Sequence, residues 1–149
     1  MNKMMLVSKR QESEQGQSLV EFALMMVVLI TTLMGILDIG RAFFAYIALQ
    51  DAVGEGAVYA SLNAACLTAD SGPGCADPDN VVWRTKNESP SGMVNADAIN
   101  VKVIATSLAP GSPITVTSTY THSLVGFVVS GIVGSNVLPL QAQASAIIQ

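Results

Sequence analysis

The chain has 149 residues, of which 50% are hydrophobic and only 12% are charged, and its formal net charge is −4. An average soluble domain has about 25% charged residues, so this composition indicates a membrane-associated protein with room for one domain besides an anchor. The acidic balance of the chain beyond Arg41 argues against a nucleic-acid partner, because such proteins carry a basic patch.

The first predicted element is a polar leader, residues 1–16, which ends at Gly16. Gln17 follows, then Glu21 and Phe22, and an uncharged run extends over residues 22–37. A carboxylate inside a membrane helix costs about 2.5–3.5 kcal/mol, so Glu21 is expected to have a partner and a function. Cleavage before Gln17 would place a new α-ammonium one helical turn from Glu21, where it can neutralise that carboxylate or the one of a neighbouring molecule.

Two other kinds of membrane segment remain open at this point, a plain signal anchor and a cleaved secretory signal. A secretory signal has an apolar core of about 7–15 residues, whereas an anchor needs about 20. Residues 17–37 reach the anchor length only by including Glu21. The cations before the run are Lys3, Lys9 and Arg10, and the one that follows it closely is Arg41. This bias predicts a cytoplasmic N-terminus and an exported C-terminal part.

The order of Gly16, four residues, Glu21, Phe22 and an apolar run resembles the processing signal of type IV prepilins. The likeness continues through residues 38–41 and 54–61, which are similar to the TadE-like minor pseudopilins of tight-adherence, Flp-type pili. The resemblance implies cleavage after Gly16 by a prepilin peptidase, insertion in the bacterial inner membrane, and a part in building or priming a pilus for surface adhesion. It implies as partners the membrane, the peptidase, other pilins and pseudopilins, and the pilus assembly platform. The processing site would consist of Gly16, Gln17, Glu21 and Phe22.

A single helix is predicted from about Ser18 to about residue 63, because no proline interrupts this stretch. Its transmembrane part is placed at residues 17–40, and the extracytoplasmic domain at 41–149. One stripe of the outer half is suited to docking on a sheet: Ala42, Tyr46, Leu49, Val53, Gly56 and Ala60.

A second stripe of the same helix consists of Phe43, Ile47, Gly54 and Ser61. Either the same domain covers it, or it packs against the helix of another subunit. Phe43 and Ile47, together with Glu21, are the predicted assembly contacts. A glycine inside a helix costs about 1 kcal/mol, so Gly54 and Gly56 are predicted to allow the close approach of a neighbouring backbone.

The remaining part of the domain reads as a loop over residues 64–97, rich in proline and glycine, followed by strands over about 98–149. Cys66 and Cys75 are the only cysteines. They lie on the exported side, where disulfides persist, and a turn-forming segment separates them, which predicts a disulfide. A structural zinc site needs four ligands, and His122 is the only histidine, so no metal site is expected.

Three segments alternate between two sets of residues with a period of two, which predicts an antiparallel sheet with one buried face. One set consists of Ile99, Val101 and Val103, then Ile114, Val116, Ser118 and Tyr120, and then Leu140, Ala142, Ala144, Ala146 and Ile148. The predicted fold is therefore α+β, with the long helix packed on the small sheet. Residues 124–138 are apolar but broken by glycines, and are either a loop or short helix folded over the sheet edge or an exposed patch that contacts another pilus component.

The sequence shows no recognisable arrangement of a nucleophile, a base and an orienting acid, so it does not support catalysis. His122 is predicted to be a surface residue. We therefore expect no enzyme and no cofactor. Two functions remain, a minor pseudopilin that helps to assemble or prime a pilus, and a membrane-tethered extracytoplasmic binding module that never enters a filament. Glu21 favours the first, because a monomeric tether has little use for an acid in its anchor.

Overall fold

The computed structural model describes residues 2–88 and 94–149, with side chains from Gly16 onward. Two compact units are present, Met1–Leu37 and Asp38–Gln149. The helices are α1 (Asn2–Leu62), α2 (Val81–Asn87) and α3 (Phe127–Val133), and the strands are β1 (Asn100–Ala105), β2 (Pro113–Ser123) and β3 (Val137–Ile147). Short 3-10 turns lie at Ala69–Ser71 and Ala96–Ala98. The predicted α+β fold is confirmed.

Helix α1 ends at Leu62, close to the predicted end, but it begins at Asn2 instead of near Ser18. The predicted start of the helix was therefore wrong, and cleavage of residues 1–16 stays a prediction. The leader has no proline, and no glycine before Gly16, so nothing in it stops the helix. Side chains of the first fifteen residues lie outside the described part.

The sheet is antiparallel with the order β1-β2-β3, so β2 is the central strand. Val116 is opposite Val103 on one side and Ala144 on the other. All three residues belong to the set that was predicted to form the buried face of the sheet. In the central strand, Ile114, Val116 and Ser118 of this set are fully buried. The three predicted strands and their buried face are confirmed.

The core lies between this sheet face and the part of α1 beyond Asp38. Leu49 and Val53 are fully buried, and each such side chain contributes about 1.5–3 kcal/mol by leaving water. Most other core positions of the helix are small, which lets the helix lie close to the sheet: Ala45, Ala48, Ala52, Ala57 and Ala60. One position of the docking stripe was predicted wrongly, since Tyr46 is 38% exposed. Ser61 of the second stripe is covered by the domain, which is one of the two alternatives for that stripe, and its backbone carbonyl accepts the N–H of Gln149 at 2.9 Å.

The stretch predicted as a loop contains helix α2. Asn80 begins this helix, since its side-chain oxygen accepts the backbone N–H of Trp83 at 2.8 Å, while its amide donates to the carboxylate of Asp77 at 2.7 Å. The backbone N–H of Val81 donates to the carbonyl of Cys66 at 3.0 Å. The helix is thus held by contacts with the cysteine loop, and these contacts cannot be read from its seven residues alone.

Candidate functional site

The predicted processing segment lies on one continuous stretch of α1. Gly16, Gln17, Glu21 and Phe22 are all exposed. The side-chain amide of Gln17 donates to a carboxylate oxygen of Glu21 at 3.4 Å, so the two residues are one helical turn apart, as the spacing predicts. A Cβ atom added to Gly16 would meet no atom within 4 Å. Packing within this unit therefore does not require a glycine at position 16. The role of Gly16 in processing stays a prediction.

The apolar run that follows is open along its whole length. Every large apolar side chain from Leu19 to Leu37 is between 38% and 72% exposed. Within the run, the hydroxyls of Thr31 and Thr32 donate to backbone carbonyls at 2.7 and 2.8 Å, so neither is left unpaired. By length and composition the helix can cross a membrane. Glu21 is then the only charged side chain between residues 17 and 37.

The predicted assembly contacts on the outer part of α1 are not covered by the domain. Phe43 is 59% exposed and Ile47 is 39% exposed. Phe44, which the sequence reasoning missed, is 55% exposed, and its ring lies edge-on to that of Phe43 with centroids 6.3 Å apart. A Cβ atom on Gly54 would meet nothing within 4 Å. Aromatic surface and an open glycine therefore remain available on this face.

The buried carboxylate of Asp38 is a second site that the sequence reasoning did not identify. Asp38 is only 4% exposed. Its two oxygens accept the backbone N–H groups of Val125 and Gly126 at 3.2 and 2.6 Å, just before α3 begins. At the other end of α3, Gly134 adopts the left-handed conformation, with φ of 72°, which costs a residue without a side chain little. The only signal in the sequence was an acid at the end of an apolar run.

The predicted disulfide between Cys66 and Cys75 is present, with the two Cα atoms 5.0 Å apart. The amide of Asn80 donates to the carbonyl of Cys75 at 3.2 Å, which connects the disulfide loop with α2. Arg84 of α2 lies over the ring of Tyr59 at 5.3 Å from its centroid, and this contact holds α2 against α1.

His122 is buried, with 6% of its surface exposed, so its assignment to the surface was wrong. Like Ser118 and Tyr120, His122 lies on the side of β2 that faces the core. Its ring centroid is 6.3 Å from that of Tyr120. The Nε2 atom makes no hydrogen bond within residues 16–88 and 94–149. In the same part of the chain, no three metal-ligating side chains gather.

The comparison with protein families finds a match that lies entirely on helix α1. Residues 16–58 match the family model described as TadE-like protein, and the match begins at Gly16 and ends four residues before the end of α1. No curated protein and no solved structure matches the chain. Over residues 16–58 the chain is thus similar to TadE-like proteins.

Proposed function

We propose that this protein is a minor pseudopilin that takes part in assembling or priming a tight-adherence pilus for surface adhesion. The prepilin peptidase removes residues 1–16, and α1 anchors the protein in the bacterial inner membrane. The N-terminal side is cytoplasmic, and the domain lies outside. The match to TadE-like proteins and the exposed apolar run of α1 support this proposal.

The observation that carries the proposal is the position of Glu21 in the apolar part of α1. It is exposed on a helix otherwise uncharged from residue 17 to residue 37, and it accepts a long hydrogen bond of 3.4 Å from the side-chain amide of Gln17. An acid in lipid without a cationic partner is unfavourable by about 2.5–3.5 kcal/mol. In an assembly of parallel helices, the α-ammonium that processing creates at Gln17 of a neighbouring subunit supplies the partner.

The outer part of α1 supports the same role. Phe43 and Ile47 present uncovered apolar surface on the helix that carries Glu21. Such surface is typical of contact with a partner protein. The partners of this surface are other pilins and pseudopilins of the system, together with its assembly platform.

The test is complementation of a deletion strain with Glu21→Leu. Leucine is favourable at the centre of a membrane helix, so membrane abundance and cleavage should equal those of the wild type. The neighbour's ammonium loses its counter-charge, and a buried charge without its partner is strongly unfavourable. We therefore expect loss of pili and of surface adherence at normal protein level.

The matched control is Glu55→Leu, which makes the same replacement at an exposed acid on the outer part of α1. This variant should form pili. Glu21→Asp should retain part of the function, because it keeps the charge. Normal piliation by Glu21→Leu at normal abundance would refute the assembly role and favour the tethered binding module.

A further inference from the structure

The segment between β2 and β3 is tied to the point where the apolar run of α1 ends. Asp38 follows Leu37 directly in the chain, and its carboxylate holds the backbone N–H groups of Val125 and Gly126 at 3.2 and 2.6 Å. Helix α3 starts one residue later, at Phe127. Through chain connectivity, α3 therefore begins within one side-chain length of the end of the run.

The outward side of this segment is apolar. Phe127 is 69% exposed and Ile132 is 82% exposed, and the flanking Val125 is 66% exposed. The chain carries no charged side chain from residue 124 to its end at residue 149. The carboxylate of Asp38 at the base of α3 is buried under two N–H donors, and Arg41, three residues further along α1, is exposed.

Hydrogen bonds within the segment join its own backbone groups. The N–H of Leu124 donates to the carbonyl of Asn136 at 2.9 Å, and that of Gly134 donates to the carbonyl of Ser130 at 2.9 Å. The Ser130 hydroxyl donates to the carbonyls of Gly126 and Phe127 at 3.2 and 3.1 Å. Apolar surroundings penalise unpaired backbone groups, and these bonds pair several of the backbone groups in and beside α3.

We infer that α3 is a membrane-surface element, whose outward side chains Val125, Phe127 and Ile132 insert into the outer interfacial layer of the bilayer that α1 crosses. The inference rests on the membrane anchorage in the proposed function. Lipid is the occupant that we infer, because α3 carries no charged side chain and the two residues before it are held by Asp38, the residue that directly follows the apolar run in the chain. Aromatic and aliphatic side chains at this depth are typical of interfacial helices. Asp38 acts as a positioning residue that fixes α3 at this level.

The inference can be tested with the full chain in phosphatidylcholine vesicles whose acyl chains carry bromine, which quenches tryptophan fluorescence. Trp83 is the only tryptophan, so Trp83→Phe provides a silent background. Three probes are introduced singly: Phe127→Trp on α3, Leu29→Trp in the apolar run, and Val58→Trp as the control. Val58 is 57% exposed and lies twenty residues beyond Asp38, about 30 Å along α1.

We expect bromine placed near the top of the acyl chains to quench Phe127→Trp more than bromine near the bilayer centre, with emission shifted to the blue. Leu29→Trp should be quenched most by the deep bromine, and Val58→Trp should keep its full fluorescence. Ile132→Trp gives a second, independent probe of the α3 face. In the Phe127→Trp protein, Asp38→Ala should reduce the quenching while Leu29→Trp remains unaffected by that change.

The outcomes separate the two proposals. Deep quenching of Leu29→Trp without quenching of Phe127→Trp and Ile132→Trp would overturn the surface role and leave the anchor intact. Blue-shifted but unquenched emission from both α3 probes would show that protein covers the face, which overturns the inference as well. No quenching of Leu29→Trp would remove the anchorage itself, and with it both proposals.

Discussion

Replacing Gly56 by alanine tests the closest approach in the domain. A Cβ atom at this position would overlap the hydroxyl oxygen of Thr85 and lie 3.2 Å from its Cβ and 3.4 Å from Cγ1 of Val116. Thr85 is fully buried, and its hydroxyl donates to the carbonyl of Val81 at 2.8 Å. The side chain can move only by giving up this bond, which is worth about 0.5–1.5 kcal/mol.

The expected change follows from two opposing contributions. Overpacking costs about 1–3 kcal/mol, and alanine recovers about 1 kcal/mol of helix propensity relative to glycine. With the hydrogen bond lost in addition, Gly56→Ala should lower the free energy of unfolding by about 0.5–3.5 kcal/mol. For a domain of this size the melting temperature should fall by about 4–8 °C per kcal/mol. The fluorescence of Trp83, which lies two residues before Thr85, reports the transition in detergent-solubilised protein.

The matched control is Gly54→Ala, two residues earlier on the same helix, where the added methyl group meets no atom within 4 Å. This variant should be more stable than wild type, by about 0.5–1 kcal/mol. Gly56→Ala combined with Thr85→Ala should recover part of the loss. If Gly56→Ala melted at or above the wild-type temperature, the close packing of α2 on α1 described here would be refuted.

Three further predictions concern other parts of the chain. Gly16→Val should leave the protein uncleaved, because the glycine has no packing role and the added side chain obstructs the peptidase; N-terminal sequencing should find Gln17 first in wild type only, and a mature-size variant would contradict this. Native protein should show no free thiol, and reduction of Cys66–Cys75 should remove about 2–3 kcal/mol of stability, whereas full thiol reactivity without reductant would exclude the bond. Asp38→Ala should cost about 1–3 kcal/mol by leaving two N–H groups unpaired, measured by thermal unfolding, and Asp38→Asn should lose less; equal losses would argue against the hydrogen bonds.

The elements that the sequence predicted are those set by local periodicity. The inward parity of β2 and β3 follows from alternation with a period of two, and the end of α1 near Leu62 follows from helical patterning. His122 was misplaced because the alternation was followed only to Tyr120, although β2 continues to Ser123. The error concerned the length of a strand, and the pattern itself was sound.

The elements that the sequence did not predict depend on distant partners. Helix α2 begins at an asparagine between prolines, and it is held by the cysteine loop and by Arg84 over Tyr59. Asp38 finds its donors 87 and 88 residues further along the chain. The contacts of α2 and those of Asp38 are tertiary contacts made by single residues. They produce no periodic pattern in the sequence, so they could not be predicted from it.

Completion of the fold depends on residues 147–149, which end strand β3 and follow it. Strand β3 ends at Ile147, Ile148 is buried in the core, and the N–H of Gln149 donates to the carbonyl of Ser61 at 2.9 Å. These residues are synthesised after α1, yet they cover the central strand and the end of that helix. During biogenesis the apolar face of α1 therefore stays uncovered until β3 has been made, and a chain cut before β3 would depend on chaperones and be exposed to proteolysis.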